Sequence, residues 1–289
     1  ADLAMYDAKE QGRDTFAFFE PDAGHGPRIR ARASWFERIE AAIDEDRFTL
    51  QAQPIVELGS GAVVQHELLI RMLDEQGDLI PPVTFLAVAE RYGQIARIDA
   101  WVARRAVELL TELEAAGAAR PLAINLSAHA LGDRELLASL ERQVSESGVD
   151  AANLVVEISE GAAIADIGRA RALAARLKAL GCQVALDDFG AGVGSIYHLK
   201  HLPLDYIKID GELVEDCARD ERDRLAISAV VTVAQGLGVA TVAEAVAEQD
   251  VADALREIGV DLAQGSCFGM PRDLAQELAP ATEDPEQVF

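Results

Sequence analysis

The chain has 289 residues, half of them hydrophobic, and its 26 basic and 50 acidic residues give a formal net charge of −24 at pH 7. A chain of this length and hydrophobic content can bury a large core, which excludes a disordered protein and fits one large α/β domain or two smaller ones. The negative charge argues against direct binding to a nucleic-acid backbone or to an anionic membrane.

The cysteine pattern and the apolar runs predict a cytoplasmic, soluble chain. Cys182, Cys217 and Cys267 are widely spaced and form no C-x-x-C pair, so neither a disulfide framework nor a cysteine zinc site is expected. No apolar run approaches the roughly 20 residues that span a bilayer, and the N-terminus lacks the layout of a secretory signal. An anchor upstream of this chain, in a longer protein, stays open.

Apolar segments of strand length alternate with helical patterns, which is typical of a parallel sheet built from βα units. A helix is expected to begin near Ala31, after a linker at 21–30 that contains "PDAGHGP". Strand segments at 48–58 and 62–70 then flank Gly-Ser-Gly and predict a β-hairpin. Six more strand segments follow, at 122–127, 154–159, 183–188, 205–210, 239–244 and 259–268. Helical patterns lie between the strands, among them 98–116, 162–180 and 221–236.

Eight strands with intervening helices over about 250 residues match the size of a (β/α)₈ TIM barrel. Because the hairpin reverses the chain direction, the first strand is expected to be antiparallel, which makes this a modified TIM barrel. A doubly wound α/β sheet is the alternative.

Polar residues end five of the apolar strand segments. A single acid or amide at such a position is more often a helix cap or a turn former than a catalyst. Five in succession are different, because the carboxyl ends of barrel strands converge on one face where active sites form. The five residues are Asn125, Glu157, Asp187, Lys208 and Glu244.

The pair Asp187 and Asp188 indicates a bound cation, because adjacent carboxylates at a buried strand end repel each other unless a positive charge offsets them. With Asn125 and Glu157 they form a set of oxygen ligands that suits Mg²⁺ or Mn²⁺ and not zinc. The two aspartates can serve two ions, and two such ions about 3.5 to 4 Å apart favour in-line displacement at phosphorus. Lys208 adds a positive charge beside them.

The glycines after the aspartates do not indicate a dinucleotide loop. Gly190, Gly192 and Gly194 follow a G-x-G-x-G spacing, which differs from G-x-G-x-x-G. Their expected role is to let the backbone turn sharply near a ligand.

Eight motifs in fixed order carry a resemblance to a known family. They are "QPIVEL", "HELLIR", "INLSAHAL", "VVEISE", "LDDFGAGVGS", "LPLDYIKID", "TVAEAVAE" and "AQGSCFGMP". In this order they resemble the EAL family of cyclic di-GMP phosphodiesterases over roughly residues 31–278, which leaves 279–289 as a C-terminal tail. The resemblance implies a modified TIM barrel with an antiparallel first strand.

The resemblance also implies a metal-ligand set. Glu67 stands at the glutamate of the motif that names the family, and with Asn125, Glu157 and Asp187 it is expected to bind a first metal. Asp187 is expected to bridge to a second metal that Asp188 also holds. The implied cofactors are two Mg²⁺ or Mn²⁺ ions, and Ca²⁺ is expected to be inhibitory.

Other residues match positions around the metals. Lys208 and Glu244 match the positions that activate or orient the attacking water, and which of them is the base stays open. Glu160 matches the acid that steadies the loop after the aspartates. The residues grouped as substrate-binding are Gln53, Arg71 and Gln264, the last of which matches a glutamine near the second metal.

The first 20 residues resemble the closing helix and strand of a GGDEF diguanylate cyclase domain. No GGDEF loop is present in the sequence, so cyclase activity is not expected from this chain. We interpret the segment as the remnant of a tandem GGDEF-EAL protein and expect it to be dispensable for hydrolysis.

The sequence departs from the family pattern at five positions that are not metal ligands. Leu68 stands where alanine is usual, Met270 replaces a frequent basic residue, and Ala52, Val193 and Ser266 stand where aromatic residues are common. These departures concern base stacking, loop packing and affinity more than chemistry.

The resemblance implies hydrolysis of cyclic di-GMP to linear pGpG in bacterial signalling. One alternative is a catalytically poor receptor of the dinucleotide that signals through a partner domain, and another is an unrelated barrel enzyme acting on a sugar phosphate. The retained ligand set favours the enzyme. A homodimer through the loop after Asp188 is also expected, as in relatives.

Overall fold

A computed structural model of the chain describes residues 25–190 and 199–278, with side chains from residue 35 onward. The GGDEF-like segment at 1–20, the tail at 279–289 and most of the loop on which the dimer prediction rests lie outside these residues. Among the described residues, no helix is long and apolar enough to cross a membrane.

The strands of the described chain form a single sheet. They are β1 (Phe48–Glu57), β2 (Val63–Leu73), β3 (Leu79–Ile80), β4 (Leu122–Leu126), β5 (Leu154–Ser159), β6 (Gln183–Phe189), β7 (Tyr206–Ile209), β8 (Ala240–Ala243), β9 (Leu262–Gln264) and β10 (Arg272–Asp273).

The α-helices whose bounds fall within the described residues lie before, between and after these strands. They are α1 (His25–Asp44), α2 (Pro82–Arg91), α3 (Ile95–Ala115), α4 (Arg134–Ser147), α5 (Glu160–Ala165), α6 (Ile167–Leu180), α7 (Gly211–Val214), α8 (Glu221–Leu237), α9 (Gln249–Ile258) and α10 (Leu274–Glu277). Short 3₁₀ turns cover Ala128–Gly132 and Ala151–Asn153.

Eight of the strands close into a barrel. The order runs β1-β9-β8-β7-β6-β5-β4-β2, and β2 pairs back with β1. Strand β1 is antiparallel to both of its neighbours, and the remaining contacts around the barrel are parallel. The predicted modified TIM barrel is therefore confirmed, and the alternative of an open doubly wound sheet is wrong.

Three element boundaries differ from the predicted ones. The helix predicted over 162–180 is broken at Asp166, whose non-helical backbone ends α5 and whose carboxylate accepts the Arg169 N–H to cap α6. Strand β9 is shorter than the predicted 259–268, because Gly259 ends α9 in the left-handed region. Helix α1 already includes His25, ahead of the predicted start near Ala31.

The barrel interior carries an apolar layer directly beneath the strand ends. Its members form two clusters separate from the main core, which lies between the barrel and the surrounding helices. Because side chains of a strand alternate between faces, each residue two positions further along points into the barrel as well. The apolar layer comprises Ala123, Val155, Ala185, Tyr206, Val242 and Leu262, together with Ile55 of the antiparallel β1. In the parallel strands, the residues two positions on are Asn125, Glu157, Asp187, Lys208, Glu244 and Gln264.

Candidate active site

The five polar residues predicted from strand ends lie together at the carboxyl face of the barrel. Asn125 of β4 is paired in register with Glu157 of β5, and Asp187 of β6 is paired with Ser159. Lys208 lies on β7, and Glu244 directly follows β8. Barrel closure brings their side chains within reach of one another, as expected from the position of each at the end of an apolar segment.

Lys208 occupies the centre of this group. Its Nζ lies 2.7 Å from Glu157 Oε2 and 2.8 Å from Glu244 Oε1. The same atom lies 3.2 Å from Asp187 Oδ1 and 3.3 Å from Glu67 Oε2. The lysine side chain is 1% exposed, so a single buried ammonium group faces four carboxylates.

Glu67 is oriented by two amide side chains. Asn125 Nδ2 donates to Glu67 Oε1 at 2.6 Å, and Gln264 Nε2 donates to Glu67 Oε2 at 2.7 Å. Gln264 Nε2 also donates to Gln53 Oε1 at 3.0 Å, and Gln53 Nε2 donates to the Gly269 carbonyl at 2.9 Å. Both oxygens of the family-naming glutamate therefore have fixed directions.

The adjacent aspartates both reach the site because the strand is irregular there. The register of β6 against β7 shifts between Leu186 and Phe189, and Asp188 adopts a φ of 55°. This conformation is uncommon for a non-glycine residue, although aspartate adopts it more readily than most. Carboxylate oxygens of Asp187, Asp188 and Glu244 lie within 4.8 Å of one another. These three residues could hold a cation.

Burial and the neighbouring groups together shift the pKa values of the carboxyl groups in this cluster in different directions. Burial, with repulsion from Glu67 and Asp187, raises the pKa of Glu157 well above its usual range despite the lysine. Burial also raises the pKa of Glu244 to about 7. The pKa of Glu67 is lowered, because Lys208 and the two amide donors together outweigh its burial. A further positive charge would favour the ionised carboxylates.

Two buried carboxylate oxygens lack hydrogen-bond donors among the described residues. They are Glu157 Oε1 and Asp187 Oδ1, the second of which has only the ion-pair contact with Lys208. Unsatisfied buried oxygens are costly and call for a partner such as an ion. The atoms available as metal ligands are carboxylate and amide oxygens, which fit Mg²⁺ or Mn²⁺.

A cavity of about 610 Å³ opens at this face and is lined by Gln53, Glu67, Glu244, Gln264 and Ser266, among others. Its volume is in the range of small-molecule sites. The lining also includes Asp210, Glu212 and Glu215, which make one side of the cavity acidic.

Sequence reasoning missed Asp210. This residue caps α7 by accepting the Glu212 N–H at 2.8 Å, lines the cavity, and its charge helps to raise the pKa of Asp188 after burial and Asp187. The signal that could have found it is its position two residues after Lys208, which places it on the same side of the chain.

The remaining predicted residues lie at the edge of the site. Glu160 is buried, and its Oε2 accepts the Gly190 N–H at 3.2 Å, beside the chain that leaves β6. Arg71 is half-buried and donates to the Ile70 carbonyl at 2.9 Å. Burial lowers the pKa of the Arg71 guanidinium, and the negative charge of Glu67 opposes this shift.

The described departures from the family pattern are not all near the cavity. Leu68 and Ala52 are buried in the main core, on the opposite strand face from Glu67 and Gln53, so they act through packing and not through the site. Ser266 lines the cavity, and Met270 is 59% exposed. Val193 lies outside the described residues.

The strand end that carries Asn125 is supported from α3. The buried Asp99 accepts the Ser127 N–H at 3.2 Å and the Ser127 hydroxyl at 2.6 Å. Burial raises the pKa of Asp99 to about 6, although these hydrogen bonds oppose the shift. A raised acid pKa means that the folded state binds a proton more tightly than the unfolded state, so this group stabilises the fold less as pH rises.

We expect the Asp99→Asn variant to lose this pH dependence. When the pH rises from 4 to 7, the wild type should lose about 2 to 3 kcal/mol of its free energy of unfolding through Asp99, and the variant should not. Urea unfolding of both proteins across this range measures the difference. Parallel curves would show that Asp99 does not titrate in this window, whatever the constant offset between the proteins.

The chain matches a known family over most of its length. The family model described as EAL domain matches residues 37–271. The cyclic di-GMP phosphodiesterase PdeB of Shewanella oneidensis is 33% identical over 276 residues, which are 95% of this chain and 32% of PdeB. The chain thus spans about a third of the length of the curated relatives it matches.

Solved structures share the fold. The phosphodiesterase MucR of Pseudomonas aeruginosa, in complex with c-di-GMP, is 29% identical with a TM-score of 0.78, over 84% of this chain and 99% of that one. The FimX EAL domain of Xanthomonas citri, in complex with c-diGMP, is 26% identical with a TM-score of 0.81, over 86% of this chain and 97% of that one.

Proposed function

Because the chain belongs to the EAL domain family, we propose that it is a metal-dependent phosphodiesterase that hydrolyses cyclic di-GMP to linear 5′-pGpG. One observation carries the proposal: buried carboxylates lie side by side at the carboxyl face of the barrel, where Glu67 lines the cavity, and Glu157 Oε1 and Asp187 Oδ1 lack hydrogen-bond donors among the described residues. The ligand set comprises Glu67, Asn125, Glu157, Asp187 and Asp188.

The proposed ligands would hold two Mg²⁺ or Mn²⁺ ions. Bound there, the ions would neutralise phosphate oxygens and lower the pKa of a water molecule. The chain's own residues supply the positioning: Asn125 and Gln264 hold both oxygens of Glu67 in place. Glu160 restrains the backbone at Gly190, directly after the two aspartates.

Lys208 and Glu244 remain the two groups proposed to act on the attacking water. They contact each other at 2.8 Å, so each fixes the direction of the other. Lys208 Nζ donates to Glu67 and Glu157 and forms ion pairs with Asp187 and Glu244, which suits orientation and charge compensation.

Substrate recognition is assigned to two glutamines of the cavity lining and to Arg71 on β2, the strand that carries Glu67. Gln53 and Gln264 line the cavity, and Arg71 carries the positive charge suited to a phosphate of the dinucleotide. A dianionic substrate needs such compensation here, because the cavity lining is otherwise acidic.

The decisive experiment incubates the chain with cyclic di-GMP and either Mg²⁺ or Mn²⁺, and separates the products by chromatography. Linear pGpG is expected with either ion, and no product is expected after treatment with EDTA. Tight binding without product would identify a receptor, and absence of both binding and product would refute the proposed function.

We predict that Ca²⁺ supports binding of cyclic di-GMP but suppresses its hydrolysis. Ca²⁺ is larger, accepts looser coordination and polarises bound water less than Mg²⁺ does. Rates measured at saturating concentrations of each ion, together with calorimetric binding in Ca²⁺, test this. Equal rates in Ca²⁺ and Mg²⁺ would contradict the two-metal mechanism.

We also propose that the chain works in the cytoplasm as part of a tandem GGDEF-EAL protein, with residues 31–278 as the phosphodiesterase domain and residues 1–20 as the remnant of the cyclase domain.

A homodimer through the loop after Asp188 is proposed as well. Light scattering of the eluting protein at increasing concentration measures the oligomer, and a fully active monomer would remove the dimer proposal.

A further inference from the structure

Four carboxylates of the candidate site share Lys208 as an ion-pair partner. Among the described residues, Lys208 is the basic side chain that forms ion pairs with Glu67, Glu157, Asp187 and Glu244, at distances from 2.7 to 3.3 Å. A buried ammonium and its partners lose hydration, so such a cluster persists only when the ions compensate one another closely.

The ammonium contacts the oxygens that a cation would need. Three of its four partners belong to the proposed ligand set, and one contact is to Asp187 Oδ1, which otherwise lacks a donor. Two cations and an ammonium cannot all keep full contact with the same few oxygens, since like charges at these separations repel strongly in a buried site.

We propose that Lys208 is the internal counter-ion of the metal-free site, and that cation binding is an exchange in which the ammonium gives up part of its contact with Glu67, Glu157 and Asp187. The inference rests on the proposed cation site but not on the identity of the nucleotide. It assigns the lysine a role in cation affinity and in the stability of the metal-free protein.

This role predicts that removal of Lys208 has opposite effects on the stability of the metal-free protein and on its affinity for cations. If Lys208 only held the site together, its removal would weaken both the fold and the binding of cations. If it competes with cations, its removal destabilises the metal-free protein but strengthens cation binding, because the uncompensated carboxylates gain more from the ion.

The test compares Lys208→Met with Lys178→Met. Lys178 is a partly exposed lysine on α6 whose Nζ contacts both oxygens of Asp205 at 2.6 and 2.8 Å, away from the cavity. Isothermal titration with Mn²⁺ alone measures affinity, and thermal unfolding in EDTA and in saturating Mn²⁺ measures stability. No nucleotide is present in either assay.

We expect Lys208→Met to lower the Tm in EDTA by about 10 °C, to bind Mn²⁺ at least tenfold more tightly than the wild type, and to regain stability in Mn²⁺. Lys178→Met should change neither readout appreciably. In EDTA, adding Asp187→Asn should restore part of the lost Tm, because it removes a carboxylate that Lys208 no longer compensates.

Unchanged or weaker Mn²⁺ binding by Lys208→Met would overturn the inference, as would a variant that stays unfolded in saturating Mn²⁺. If the wild type itself bound no Mn²⁺, the proposed metal site would fail and this inference with it. If the wild type bound Mn²⁺ and hydrolysed cyclic di-GMP while the variant bound Mn²⁺ less well, the inference alone would fail.

Discussion

The variants Glu67→Ala and Asp187→Asn are each expected to lower the rate of cyclic di-GMP hydrolysis at least 100-fold, which corresponds to about 2.7 kcal/mol of transition-state stabilisation. Each change removes a carboxylate oxygen from the proposed cation site. Asparagine has nearly the same shape as aspartate, so the rate lost by Asp187→Asn reports on charge and coordination. Glu67→Ala also deprives Asn125 and Gln264 of their shared acceptor.

Steady-state rates in saturating Mn²⁺ measure both effects, and thermal unfolding in the same buffer checks that each variant is folded. Glu141→Gln is the matched control, because Glu141 is a surface carboxylate paired with Arg176 at 2.8 Å and lies away from the cavity. A loss of less than about tenfold for a folded Glu67 or Asp187 variant would count against the metal assignment.

Gly265→Ala is expected to be the most destabilising single substitution that we propose. Gly265 has a φ of 156°, and a Cβ there would lie 2.1 Å from the carbonyl oxygen of Val246 and 2.3 Å from its nitrogen. These backbone atoms cannot move freely, since the Val246 N–H donates to the Gln264 carbonyl and the Val246 carbonyl accepts the Cys267 N–H, both at 3.0 Å.

We therefore expect Gly265→Ala to reduce the free energy of unfolding by more than about 3 kcal/mol and to disturb the adjoining Gln264. Gly236→Ala is the control, because Gly236 lies inside α8 and an alanine methyl there would have no atom within 4 Å, so alanine should be neutral or stabilise by up to about 1 kcal/mol. Urea unfolding compares the two. Similar stability of both variants would show that the loop around Val246 gives way easily.

The strands and the face of the site were predictable because they rest on local patterns. Short apolar segments between helical patterns located the strands, and the hairpin turn indicated the antiparallel first strand that the barrel shows. Asn125, Glu157, Asp187, Lys208 and Glu244 follow the same logic. Parallel strands deliver their carboxyl ends to one edge, so sequence position alone predicts that these side chains meet.

Element boundaries were less predictable, because they depend on capping. The apolar pattern runs through Asp166 without a break. The carboxylate of Asp166 nevertheless accepts a hydrogen bond from the Arg169 N–H, and a new helix begins there. Similarly, nothing in the sequence around Leu68 separates a side chain in the cavity from one in the outer core. The pairing of β2 decided that Leu68 faces the core and Glu67 faces the site.

The sequence by itself thus determined the barrel, the face of the site and the oxygen-rich set of residues that points to divalent cations, because each depends on residue type at short spacing. Tertiary structure alone decided how these residues act on one another. Gln264 and Glu67 are 197 residues apart, and Lys208 and Glu67 are 141 apart, so their contacts exist only once β1 pairs with both β2 and β9. Barrel closure sets these interatomic distances, and the local sequence pattern carries no information about them.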